Sequence, residues 1–232
     1  MNMQRLVEPE LLDTLAPDDP RAIRSRTDLR RINRLMGTQS LLGASLDTML
    51  QGSAPMRLVE LGAGDGTLLL RLARRRARHW PAITLGLLDL QPVVSEETLA
   101  RYRELGWQVE AIHADVFDWL AQPQVEAAPI ILANLFMHHF DGRRLQALLA
   151  GIADRAHAFV CLEPRRSQFA LLGSRLLGAI GCNDVTRHDA VISVRAGFSA
   201  QELSRQWPNP KMWNLQETAV GLFSHRFQAV RK

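Results

Sequence analysis

The chain has 232 residues, 47% of them hydrophobic, and 28 basic against 24 acidic side chains, a net charge of +4. That is enough sequence for one substantial core, and no apolar run approaches the roughly 18 residues of a membrane helix. Nearly every cation is arginine, Lys211 and Lys232 being the only lysines, so the modest excess does not point to a nucleic-acid surface and no such partner is expected.

From about Glu8 to Leu50 the pattern is helical. Pro17 and Pro20 separate a short first helix from a longer one around Ala22 to Leu35, and Gly37 breaks that from a third. An N-terminal helical segment, 1–52, thus precedes a main domain, 53–232. From Met56 onward strand and helix patterns alternate. Strands are expected at Arg57–Leu61, Ile83–Asp89, Gln108–His113, Ile130–Asn134 and Ala158–Glu163. Helices are expected near Thr67–Arg78, Ser95–Leu105, Val116–Ala121 and Gly142–Asp154. Such alternation implies a parallel sheet with helices on both faces, an α/β fold. The rhythm then changes. Arg165–Ile180 reads as a helix with an apolar stripe at Phe169, Leu172, Leu176 and Ile180. Gly181–Asp189 reads as a polar loop, and Ala200–Trp207 as another helix. Met212–Val220 and Phe223–Val230 read as two strands joined through Gly221.

The most informative stretch is VELGAGDGT, Val59 to Thr67, at the end of the first strand. Gly62, Gly64 and Gly66, with Ala63 between the first two, let the chain turn sharply and approach a ligand closely, with the next helix's amides facing it. Strand ends converge on one crevice in this architecture, so Asp89 and Asp115 should meet the same ligand. A carboxylate at Asp89 suits a ribose diol, whether of NAD or of S-adenosylmethionine. A dinucleotide fingerprint spaces its glycines G-x-G-x-x-G, whereas here they run G-x-G-x-G after the acidic Glu60.

This spacing resembles motif I of the class I S-adenosylmethionine-dependent methyltransferases, and the resemblance extends over about Met56 to Glu163. It implies S-adenosylmethionine as cofactor, with no metal. It also implies a Rossmann-like seven-stranded mostly parallel sheet with an antiparallel last strand inserted beside the sixth. Asp89 and Leu90, in LLDLQP, are similar to the ribose-binding position. Asp115, in HADVFDW, is similar to the acid that meets the adenine amino group, with Val116 near the ring. ANLFMHHF, Ala133 to Phe140, is similar to the strand-four motif that lines cofactor and substrate, with Asn134 and Leu135 toward the cofactor and Met137 toward the acceptor. Local alternatives stay open: the glycines as a tight turn, Asp89 and Asp115 as helix caps, and Glu60 as a brace for the loop.

Methyl transfer from a sulfonium is an in-line displacement, and a hydroxyl acceptor must also lose a proton. His138 and His139 precede Asp141, a candidate cap for the next helix, where imidazoles are biased toward the neutral, proton-accepting form. The alternative is that His139 packs beneath the cofactor. His188, in the polar loop, is a second candidate base. Arg187 is a candidate anchor for an acidic or phenolate acceptor, and Arg165 sits at the mouth of strand five. Asn134-Leu135-Phe136-Met137 lacks the Asn-Pro-Pro-aromatic turn of many methyltransferases that act on nucleobases or glutamine. TDLRRINRLMG (Thr27–Gly37), EPRRS and GCNDVTRHDAVISVRAGF are similar to bacterial methyltransferases found beside type III polyketide synthases. That likeness implies a small phenolic, polyketide- or quinone-like acceptor methylated on oxygen, with 1–52 as a lid and about 165–200 as a substrate cap. C-methylation of such an acceptor, and methylation of tRNA or protein, remain alternatives, and a homodimer remains open as the assembly. Cys161 and Cys182 form no disulfide framework and the N-terminus has no signal-peptide pattern, so a cytoplasmic setting is expected.

Overall fold

The structure, a computed structural model, describes residues 3–51, 56–123 and 128–232. The boundary expected between segments 1–52 and 53–232 lies outside the described residues. The N-terminal layer comprises α1 (Leu11–Thr14), α2 (Pro20–Leu35) and α3 (Thr38–Met49). Asp19 caps α2 through the Arg21 amide, and Gly37, at φ +68°, turns the chain into α3. The alternating region follows as β1 (Met56–Leu61), α4 (Thr67–Arg76), β2 (Ile83–Asp89), α5 (Glu96–Arg103), β3 (Gln108–His113), α6 (Val116–Ala121), β4 (Ile130–Asn134), α7 (Gly142–Arg155) and β5 (Ala158–Pro164). The chain continues through α8 (Gln168–Arg175) and α9 (Asp184–Ala196) into β6 (Trp213–Val220) and β7 (Ser224–Arg231).

The strands form one sheet in the order β3-β2-β1-β4-β5-β7-β6. β1 to β5 are parallel, and β7 runs antiparallel between β5 and β6. This is the expected topology. The order reverses between β1 and β4, which opens a crevice at their carboxyl ends. One face of the sheet buries Leu46 of α3, Leu72 of α4 and Leu85 of β2, and the other buries Leu148 and Ile152 of α7 against Phe159. Burial on both faces explains why β4 and most of β5 are continuous apolar runs rather than alternating ones. Arg74, Arg75 and Arg78 are exposed, as a solvated helix face requires, and Arg76 pairs with Asp47. Among the described residues no helix is long and apolar enough to cross a membrane.

Four expectations fail after β5. Arg165 and Arg166 precede the helix rather than begin it: the Arg165 amide donates to Phe223 O at 2.7 Å, the Arg166 amide to Phe198 O at 2.9 Å, and Ser167 caps α8. The stripe Phe169, Leu172, Leu176 and Ile180 is exposed, because Ala170 and Leu171 take the inward positions against Val194 of α9. Within Gly181–Asp189 only the first residues are loop. Asn183 accepts from the Thr186 amide at 2.9 Å and starts α9, so Arg187, His188 and Asp189 are helical. Ala200–Trp207 holds only turns and a short 3-10 segment, Ser204–Gln206.

Candidate active site

The glycine loop joins β1 to α4 with Gly62, Gly64 and Gly66 all at positive φ, +65°, +54° and +69°. A Cβ on Gly62 would lie 2.4 Å from the Phe136 ring, so only glycine lets the strand-four turn close over the loop. Asp89 accepts from the Gly64 amide and the Gln91 amide, each at 2.8 Å, which fixes the loop against the end of β2. Burial raises the Asp89 carboxyl above its usual range, and these two bonds offset part of that effect.

The loop, the end of β2, the end of β4 and the N-terminal layer enclose a cavity of about 370 Å³, within the range of roughly 300–1,000 Å³ usual for small-molecule sites. Glu60, Gly62, Ala63, Gly64, Asp89, Leu90, Asn134, Leu135, His138 and His139 all line it. The structure thus brings most of the expected residues together. Gly66 does not reach it: it is a buried cap of α4 whose carbonyl accepts from the Tyr102 hydroxyl at 2.8 Å. Asp115 takes the capping alternative, accepting from the Phe117 amide at 2.7 Å, and Val116 is buried; neither lines the cavity. On that side the wall is made by Phe136 and Phe140, the latter edge-to-face with Phe117. Met137, expected to face the acceptor, is instead wholly buried in the core.

Two buried acceptors in this cavity have no partner among the described residues: Glu60 Oε2 and Asn134 Oδ1. Glu60 pairs with Leu132 in the sheet, two residues before Asn134, so both side chains leave the same face. Burial, with smaller contributions from Asp65 and Asp89, raises the Glu60 carboxyl to about 8. An unpaired buried carboxyl is costly unless something donates to it.

The turn after β4 is strained. Leu135 has φ +54°, a conformation rare for a branched side chain. The strain is held by β5, where Leu162 O accepts from the Leu135 amide at 3.0 Å. The Glu163 carboxylate accepts from the amides of Phe136, Met137 and His138 at 3.1, 3.0 and 3.3 Å. It also meets His138 Nδ1 at 2.7 Å, while His138 Nε2 meets Glu10 Oε1 at 3.1 Å. Burial pulls the imidazole pKa down, but the bonds to Glu10 and Glu163 outweigh it and hold it at about 9. His138 therefore carries its proton near neutrality and has both ring nitrogens engaged. This corrects its place as a free base. Glu10 is pushed to about 2, since the His138 bond overcomes the opposing effect of burial.

His139 is different. Its side chain is 24% exposed, it faces the cavity, and its Nδ1 lies 3.2 Å from Asp13 Oδ2 on α1. A proton on Nδ1 shared with Asp13 leaves Nε2 as an acceptor. His188, by contrast, is exposed on α9, where its Nδ1 meets its neighbour Asp189 at 3.0 Å. Asp189, on α9, holds the N-terminal strap, the segment that precedes α2, accepting from the Leu11 and Leu12 amides at 2.8 and 2.9 Å. Arg187 is exposed and packs over Gly178, and Arg165 lines a separate polar cavity beside β6 and β7. Neither lines the cleft.

A second cavity, about 210 Å³, adjoins the first and shares Glu10, Leu12, Leu29, Leu135 and Ser193 with it. Its walls are largely apolar, including Ile32, Met36, Leu177 and Val194, and among the described residues no Arg or Lys lines it. Leu29 and Ser193 were reachable only through the fold, since they come from α2 and α9, whereas Leu135, expected toward the cofactor, faces both cavities.

No protein-family model and no curated protein matches the chain. Solved structures do. An O-methyltransferase family protein from Burkholderia thailandensis aligns at TM-score 0.61 and 16% identity over 93% of this chain and 61% of its own length. The plantazolicin methyltransferase BpumL, in complex with a monoazolic desmethylPZN analog and SAH, aligns at 0.64 and 12% over 92% of this chain and 91% of its own. The pyocyanin biosynthetic protein PhzM aligns at 0.56 and 16%, over 93% of this chain and 60% of its own. The chain thus spans about three fifths of the first and third of these proteins. What it shares with all three is the fold, the seven-stranded Rossmann-like architecture of the methyltransferases.

Proposed function

We propose that this chain is an S-adenosylmethionine-dependent methyltransferase acting on a small, hydrophobic, uncharged acceptor, with transfer to an oxygen and His139 as general base. The observation that carries the reading is the pair of unpartnered buried acceptors, Glu60 Oε2 and Asn134 Oδ1, beside the glycine loop. An ammonium group satisfies both, and the amino-acid head of S-adenosylmethionine supplies one. The backbone of Gly62 and Gly64 would run along that head, and Asp89 with Leu90 would take the ribose. For Asp115 and Val116 to meet the adenine, Phe136 and Phe140 must yield. When bound, the cofactor supplies an electrophilic methyl group on sulfur.

The chain's own residues do the rest. Leu135, common to both cavities, separates cofactor from acceptor. The second cavity is largely apolar and, among the described residues, offers no Arg or Lys to an anionic acceptor, which favours a neutral phenol-like group over a carboxylate or phosphate. His139, oriented by Asp13, lines the first cavity and not the second, so it would take the proton at Nε2 from an acceptor whose hydroxyl reaches past Leu135 toward the methyl group.

Titration calorimetry with S-adenosylhomocysteine tests the cofactor assignment. At pH 7 the Glu60 carboxyl, raised to about 8, is mostly protonated, and an arriving ammonium favours its charged form. Binding should therefore release a proton, and the measured heat should track the ionisation enthalpy of the buffer. Glu60→Gln should remove that dependence. Folded protein that binds no S-adenosylhomocysteine at all would refute the assignment.

His139 makes a separate prediction. With any phenolic acceptor found by screening, His139→Asn should lower kcat by about 10²–10⁴-fold while cofactor affinity stays put. Unaltered turnover would remove it from the chemistry.

A further inference from the structure

We infer that Arg30, on α2, is the counter-ion for the carboxylate of the cofactor's amino-acid head, so that cofactor binding fixes the helix that walls the acceptor cavity. The inference rests on the cofactor reading above. In that head the ammonium and the carboxylate share one carbon. Seating the ammonium on Glu60 and Asn134 therefore brings the carboxylate to the same end of the cavity. That end is already acidic: Asp65 and Asp89 both push the Glu60 carboxyl up. A carboxylate entering there needs a cation.

Two guanidinium groups line the cavity, Arg26 and Arg30. Arg26 donates to Pro17 O and acts electrostatically on Asp89, which puts it toward the ribose end. Arg30 is held over the glycine loop itself. One of its terminal nitrogens pairs with Asp65 Oδ2 and the other donates to Thr27 Oγ1 at 2.8 Å. Asp65 is fixed in turn, its other oxygen accepting from the Thr67 amide at 3.1 Å and hydroxyl at 2.6 Å. A guanidinium has five donors in a planar fork, so these two contacts orient the group and leave others to face a second carboxylate.

The spacing of α2 carries the consequence. Arg26, Leu29, Arg30 and Asn33 make one helical stripe on the cofactor cavity. The adjoining stripe, Ser25, Leu29, Ile32 and Met36, lines the acceptor cavity. Pinning Arg30 from the cofactor side therefore sets the opposite wall, and the cofactor should bind before the acceptor.

Calorimetry can compare S-adenosylhomocysteine with S-adenosyl-3-thiopropylamine, which keeps the amine and lacks only the carboxylate. The wild type should hold S-adenosylhomocysteine at least about tenfold more tightly. Arg30→Met should erase that gap by weakening only S-adenosylhomocysteine. Arg30→Lys, which keeps the charge without the fork, should retain part of it, and Arg26→Met should leave it in place. Hydrogen exchange adds a second readout: S-adenosylhomocysteine should protect α2 amides in the wild type and not in Arg30→Met. If the wild type binds S-adenosylhomocysteine but Arg30→Met and Arg30→Lys keep the full gap, or weaken both ligands alike, the Arg30 assignment falls and the cofactor reading stands. If the wild type binds neither ligand, both fall.

Discussion

Replacing His138 with alanine should lower stability by about 3–5 kcal/mol, the usual result of stripping one partner from a buried ion pair. For a chain of this length that corresponds to a melting temperature lower by roughly 10 °C. The imidazolium is 2% exposed and lies between Glu163 and Glu10. Glu163 would keep three backbone amides. Glu10 would keep the Ser193 hydroxyl, so the loss falls mainly on the strap that carries it. The sign of the pH dependence follows. His138 is raised from 6.5 to about 9, so its contribution is whole below pH 6.5 and is lost as pH rises through 9. Glu10 is lowered from 4.5 to about 2, so its contribution is whole above pH 4.5 and is lost as pH falls through 2. Glu60, raised from 4.5 to about 8, adds its own loss of stability as pH rises through 8. Thermal melts from pH 6 to 9.5 should thus fall with pH in the wild type and fall less in His138→Ala. Equal melting temperatures and equal slopes would show that the pair contributes nothing.

Gly62→Ala should impair both fold and ligand binding. The residue sits at φ +65°, where a Cβ costs about 1–2 kcal/mol. The new methyl also meets Phe136 Cδ2 at 2.4 Å, and such overpacking typically adds about 1–3 kcal/mol. Phe136 cannot retreat freely, because its amide is one of the three held by Glu163. Affinity for S-adenosylhomocysteine should drop by at least about tenfold. Gly64→Ala is the internal comparison: at φ +54° it bears the backbone strain, but its Cβ meets no atom within 4 Å. It should lose less stability than Gly62→Ala. Equal losses in urea unfolding would mean that the Phe136 contact is inconsequential.

The sheet was legible because each buried strand is a short, mainly apolar run ended by glycine, an acid or asparagine, and these signals are local. β2, β3 and β4 fall where their runs do. The region after β5 was less legible because its cues compete. Asn183 and Asp184 read as loop residues, yet Asn183 with Thr186 three positions on is an N-cap, and weighing it so would have started α9 there. The stripe at Phe169 and Leu172 has helical spacing, but periodicity does not say which side of a helix meets the protein. Met137 shows the limit of motif position: the turn places its side chain in the core. Glu163 did leave a trace, an acid inside the fully buried run of β5. Glu10 and Asp13 left none, since their partners lie more than a hundred residues away.

That separation bears on the order in which the molecule is made. The strap emerges first, yet Arg5 donates to Phe140 O and Ala196 O, each at 2.7 Å, and Leu11 and Leu12 hang from Asp189. Until those partners are made, residues 5–12 have nothing on which to seat. Contacts of such long range form late and slowly. The cleft should therefore close only after α9 has docked, making an ordered N-terminus a marker that the last third of the chain has folded.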